Sequence, residues 1–263
     1  MCRKQHLNGA SALDVYRAGI GIVWPQMAMA LQTPQMNQLY IGNKNYSSWS
    51  LRPWVLMRSL DIPFQEILMP FDGPDNYQRY KTFSPNGRVP CLQDGKEVVW
   101  DSLAIIEYLA ETRPQVWPTS RAARTYARSV SSEMHAGFHA LRGECPMICS
   151  ARFQVRSVSA ELARDLDRLD EVFCDGLARF GGDFLAGKNF SAADAFFCPV
   201  AIRVVGYGLP LTQPSIDYCH RLLALEPMQD WVSDALNEPW FDETEEAAAR
   251  THADLIEDQR ILI

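Results

Sequence analysis

Residues 87–109 read GRVPCLQDGKEVVWDSLAIIEYL, and the fold turns on this stretch. Two short apolar runs, one ending at Leu92-Gln93 and one over Lys96–Trp100, are joined by Asp94-Gly95, a pair that favours a two-residue hairpin turn. From Ser102 the period changes. Leu103, Ile106, Leu109 and Ala110 recur on one face of a helix that runs to Glu111. A hairpin followed by a helix closes a small mixed sheet with helices packed on it.

Upstream, Gln38–Gly42 reads as a buried strand and Asn43–Ser48 as a polar loop. A helix over Ser50–Leu60 tolerates Pro53 in its first turn. Ile62–Met69 is a second strand, Asn76–Phe83 a short helix, and Ser84–Gly87 a turn cluster. Downstream of Pro114, Trp117 and Pro118, the strand patterns stop. Arg121 to Cys145 reads as helix, and Leu162, Leu166, Leu169, Phe173, Leu177 and Phe180 mark a firm one that ends at Gly181-Gly182. Further helices fit Ser191–Val205, Ser215–Leu225 and Met228–Leu236. The chain therefore divides into an N-terminal extension (1–35), an α/β domain (36–117), an all-α helical bundle (121–240) and an acidic tail (241–263).

The 263 residues are 47% hydrophobic and 22% charged, which is globular composition and excludes a disordered or fibrous chain. The net charge of −7 argues against a nucleic-acid partner. Residues 1–35 carry +2 and residues 241–263 carry −5, so both ends read as appendages, the acidic one as solvated helix or frayed tail. Seven scattered cysteines without a C-x-x-C pair imply neither a disulfide framework nor a zinc ribbon; Cys174 and Cys198 read as small core residues in a cytoplasmic protein. Nothing approaches the length of a membrane span. Ala18–Trp24, after Arg3, Lys4 and Arg17, looks like a secretion signal, but Pro25 and Gln26 cut it short. The extension is expected to be a disordered leader or an over-called start.

Three junctions carry chemistry-bearing residues. Ser47 and Ser48 stand where a strand gives way to a helix, beside unpaired backbone N–H groups and the positive end of the helix dipole. They read either as helix caps or as hydroxyls that stabilise an anion such as a thiolate. Val89-Pro90 opens a strand, and a cis bond there leaves the Val89 backbone free at an edge. Asp101-Ser102 begins another helix, where a carboxylate is readily held. In the second half, Ser191 and Asp194 have capping-box spacing, a structural role. His135, His139 and Arg142 fall on one face of their helix, read either as a solvated or interface face or as a substrate-binding face toward the interdomain cleft; without zinc-type spacing no metal is expected.

Together these features resemble the glutathione S-transferase family. Tyr46–Arg52 looks like its serine-containing motif, Gly87–Leu92 its cis-proline segment, and Asp101–Leu109 its γ-glutamyl-binding turn and helix. Phe190–Asp194 resembles the cap of the family's core helix. The Ser-Ser stretch is similar to that of the zeta class, except that Trp49 stands where zeta enzymes usually have cysteine.

The resemblance implies a thioredoxin-like N-terminal domain, a helical C-terminal domain and a homodimer. It implies glutathione as co-substrate with no permanently bound cofactor, Ser48 or alternatively Ser47 as the hydroxyl facing the thiolate, and Arg88, Val89, Pro90, Asp101 and Ser102 as the glutathione site. The expected activity is conjugation of the glutathione thiolate to a small apolar electrophile. The alternatives are a glutathione-dependent peroxidase or isomerase, and a non-enzymatic ligand-binding or protein-docking protein.

Overall fold

The computed structural model describes residues 36–260 apart from Pro74. The expected leader and its signal-like run lie outside the described residues.

β1 (Asn37–Ile41), α1 (Ser48–Ser59) and β2 (Phe64–Leu68) form a βαβ unit in which β1 and β2 pair in parallel. α2 (Asn76–Tyr80) follows, then the hairpin β3 (Cys91–Asp94) and β4 (Glu97–Val99), then α3 (Ser102–Thr112). The sheet order is β2-β1-β3-β4, with β3 antiparallel to both neighbours. The hairpin loop is Gly95-Lys96, one residue beyond the expected pair, and Gly95 takes φ +59 there. α1 and α3 pack together on the sheet, burying Leu51, Val55, Ile105 and Ile106. α1 begins two residues earlier than expected because Ser47, not the loop after it, is its N-cap.

The second domain contains α4 (Arg121–Ala136), α5 (His139–Glu144), α6 (Ala160–Phe180), α7 (Ala192–Tyr207), α8 (Gln213–Leu223) and α9 (Glu226–Leu236). α7 is apolar on every side, as its run Ala195–Val204 dictates, and packs against α1, α4 and α8. Its capping box forms, and the buried Asp194 carboxylate also accepts from Leu185 N and the Tyr218 hydroxyl, at 3.0 and 2.9 Å. Cys198 is buried as expected; Cys174 is only partly so, and the six described cysteines are unpaired.

Three expectations change. The helix expected over Arg121–Cys145 breaks at Gly137-Phe138, where Phe138 takes φ +57; this sends His139 outward to solvent. The second half is not entirely helical, because β5 (Ala151–Val155) pairs antiparallel with β6 (Ala253–Asp258). The acidic segment is not a frayed appendage: α10 (Glu243–His252) and β6 fold back onto the body and bury Ala249, Ala253 and Glu246. Asp242 caps α10 through Thr244 N and Glu245 N, and the acids of its first turn suit the positive helix end.

Candidate functional site

A cavity of about 530 Å³ opens between the two domains. Ser47, Ser48, Arg88 and Val89 line it from the first domain, and Arg142, Arg203 and Glu245 from the second. Sequence reasoning placed the first four in one site, and the fold brings them together.

The two serines differ in what their hydroxyls do. Ser47 Oγ donates to Ser50 Oγ at 2.8 Å, and Ser50 Oγ in turn accepts from Gly42 N at 3.1 Å. Ser48 is the first residue of α1, and its hydroxyl makes no hydrogen bond to any described residue. It is therefore the hydroxyl free to donate at the helix N-terminus. The Val89–Pro90 peptide is cis, as expected. The Val89 N–H and C=O find no partner among the described residues, and β3 starts only at Cys91.

Asp101, Ser102 and Pro90 do not line this cavity. Asp101 caps α3 by accepting from Leu103 N at 3.0 Å, and its other oxygen lies 3.3 Å from His135 Nε2. Burial, with Arg52 and Arg142 nearby, lowers the His135 pKa against the upward pull of Asp101. Ser102 is fully buried, and its hydroxyl is unpartnered. That is an unusual state for a buried polar group and fits a group kept for a ligand.

The loop before the serines is held by the second domain at consecutive residues. Glu238 accepts from Lys44 N at 2.7 Å and Asn45 N at 3.0 Å with its two carboxylate oxygens. Trp231 Nε1 donates to Lys44 O at 2.8 Å, and Ser150 N to Asn45 Oδ1 at 2.9 Å. Lys44 Nζ sits between Glu66 (3.0 Å) and Asp234 (2.6 Å), against the faces of Trp54 and Trp231. Tyr46 donates its hydroxyl to the buried Glu246 at 3.1 Å, and Arg260 binds the same carboxylate.

Sequence reasoning considered Arg142 for the cleft but missed Arg203, which also lines the cavity, and the buried Arg52 beside Arg142, which does not. Arg52 is fully buried with Nε and Nη1 unpartnered. Its guanidinium lies 4.2 Å from the centre of the Trp49 ring, and that of Arg142 lies 4.7 Å from it. The two thus share one indole, an arrangement that favours cations through the ring quadrupole. Arg203 donates to Cys145 O and Pro199 O. No carboxylate among the described residues forms an ion pair with any of the three. Burial lowers all three pKa values, joined by repulsion from neighbouring guanidiniums at Arg52 and Arg203; Arg203 falls to about 10, which leaves it a cation at neutral pH. Three converging arginines without a paired acid form a field suited to an anion. A lone arginine within the apolar run Ala195–Val204 was the one available signal for Arg203. Glu245, inside an acidic run, gave none.

Among the described residues no group of acids, cysteines and histidines has a metal-binding arrangement, and no helix is long and apolar enough to cross a membrane.

Residues 46–112 match the family described as the glutathione S-transferase N-terminal domain. The chain is 25% identical over 197 residues to the maleylacetoacetate isomerase of Rattus norvegicus, a match that covers 73% of this chain and 89% of the relative. It is 38% identical to that of Pseudomonas aeruginosa over 80 residues, 30% of this chain and 38% of the relative. A glutathione transferase homologue from Burkholderia, crystallised with glutathione, superposes with a TM-score of 0.59 at 21% identity, over 76% of this chain and 98% of that one.

Proposed function

We propose that this chain, which belongs to the glutathione S-transferase family, binds glutathione in the interdomain cavity and adds its thiolate to a small acid bearing an activated double bond. That addition is the step common to conjugation and to glutathione-dependent cis–trans isomerisation, the reaction that the relatives' names supply. The observation that carries the reading is the cavity's lining: Ser48 at the start of α1, whose hydroxyl has no partner among the described residues, shares it with Arg142 and Arg203. In place of the apolar electrophile expected from the sequence, this reading favours an anionic one, because neither Arg142 nor Arg203 is ion-paired with a carboxylate among the described residues.

Glutathione brings the nucleophile, so the protein's task is to ionise and place it. Lowering a thiol pKa by two units takes about 2.7 kcal/mol of preferential thiolate stabilisation. One hydrogen bond to a charged sulfur together with the α1 dipole supplies that amount. The free Val89 backbone offers a strand edge to the peptide portion of glutathione, and Ser102 at the α3 N-terminus offers a donor to its γ-glutamyl carboxylate. Arg142 and Arg203 hold the acceptor's carboxylate, which fixes the double bond near the sulfur.

The test is direct. Thiolate absorbance of glutathione bound to the protein should titrate well below the free thiol. A cis-enedione acid should then be isomerised or conjugated faster than its methyl ester. Equal rates for acid and ester refute the anionic acceptor. Absence of the thiolate band refutes the glutathione site itself.

A further inference from the structure

We propose that Glu245 is a catalytic proton donor to the acceptor substrate, an inference that rests on the glutathione-site reading above. Among the described residues lining the cavity it is the single carboxyl group. Its side chain forms no hydrogen bond and no ion pair with any described residue, whereas Asp242 and Glu246 on either side are engaged: Asp242 caps the helix and Glu246 holds Tyr46 and Arg260. Of the other proton-bearing groups of the cavity, the Ser48 hydroxyl is assigned to the thiolate, Tyr77 is 54% exposed, and the rest are committed or keep their protons. The Tyr46 hydroxyl is bound to Glu246, and that of Tyr80 donates to Met69 O and Pro70 O. Arginines do not give up a proton at neutral pH.

Glu245 is also placed with little freedom. It lies in the first turn of α10, next to Glu246, which ties that turn to the residue just before Ser47. Burial and Asp242 raise its pKa while Arg203 lowers it, and the balance is upward, which favours the protonated carboxyl.

The chemistry that uses it balances. The glutathione sulfur bonds to the β-carbon of the conjugated carbonyl, and the double-bond pair shifts to give an enolate. The Glu245 proton passes to the enolate oxygen, leaving a carboxylate beside Arg203 and a single bond about which the adduct rotates. In reverse, Glu245 recovers the proton, the double bond re-forms in the other geometry and the thiolate leaves. Nothing is oxidised or reduced. Aromatic substitution on an aryl halide, by contrast, expels halide and needs no proton donor.

That contrast supplies the experiment. Glu245→Gln keeps the side chain's size and removes the acid. Its rate with a cis-enedione acid, divided by its rate with 1-chloro-2,4-dinitrobenzene, should fall about 100-fold relative to wild type, within the usual contribution of general acid catalysis. The bound-glutathione thiolate band and the thermal unfolding midpoint, measured on the same preparation, establish that the variant is folded and loaded. Loss of both rates in equal proportion, or of neither, overturns the role of Glu245. A wild-type protein without the thiolate band overturns the site reading instead, so the two failures are told apart.

Discussion

Glu238→Ala should cost about 3 kcal/mol of stability and raise the pKa of the bound glutathione thiol. The carboxylate accepts from two consecutive backbone N–H groups, Lys44 N and Asn45 N, on residues that are 5% and 1% exposed. Truncation leaves both donors without a partner, each at about 1–3 kcal/mol, and relief of the buried charge places the sum toward the lower end. For a folded body of this size that is roughly 6–12 °C in midpoint. Glu238→Gln removes the charge and keeps one acceptor oxygen but turns an amide NH2 toward the other backbone N–H, so it should cost about 1–3 kcal/mol, less than Glu238→Ala. The pH dependence has a definite sign. Burial outweighs the hydrogen bonds and raises the Glu238 pKa. A carboxyl raised on folding contributes stability that is fully present below its unfolded value and is lost as pH rises through the folded one. Wild type should therefore lose stability over that interval, and Glu238→Gln should lose less. The assays are calorimetry from pH 4 to 8 and thiolate absorbance at pH 7. A Glu238→Ala midpoint within about 2 °C of wild type, with an unchanged thiol pKa, refutes the claim that this carboxylate sets the loop before Ser47.

Other variants probe separate parts of the site and fold. Ser48→Ala should move the bound thiol's titration toward that of free glutathione, whereas Ser47→Ala, whose hydroxyl is spent on Ser50, should move it little; the reverse order assigns the role to Ser47. Ser102→Ala should raise the glutathione KM more than it lowers kcat, since its contact is remote from the sulfur; an unchanged KM removes it from the site. Asp194→Ala should lower the unfolding midpoint by several degrees with the thiol pKa unaffected, because it orphans the buried donors of Leu185, Ser191 and Tyr218. Sedimentation of the full chain should give a symmetric homodimer; a monomer at micromolar concentration refutes that expectation.

What was legible in the sequence was local. The hairpin and α3 announced themselves through turn residues and a change of period within two dozen positions; Ser47 and Ser48 stood out at a strand-to-helix junction and Val89 at a strand start, whereas Arg88 came only with the family resemblance. Pairing across distance left no comparable mark. Ala151–Val155 alternates apolar and polar, but its partner strand lies about a hundred residues away in a segment whose acidity suggested solvent. The arginine cluster is likewise non-local, with Arg52 on α1, Arg142 on α5 and Arg203 on α7. The break at Gly137-Phe138 did have a signal in Gly137, a poor residue for a helix interior; the break ends α4 and starts a separate α5, which carries Arg142 at the cavity and His139 toward solvent.

The grip of the second domain on residues 44–46 has an evolutionary consequence. In a two-domain enzyme whose reactive loop is self-supporting, recombination can exchange the substrate-binding half freely and so explore new specificities in single steps. Here a chimera joining residues 36–117 to a foreign helical domain inherits Ser48 but not Glu238, Trp231, Ser150 or Glu246, the groups that fix where Ser48 points. The two halves are therefore bound to diverge together, and variation in this lineage should collect on the cavity wall around Arg142, Met147 and Arg203, where a side chain can change without disturbing that grip.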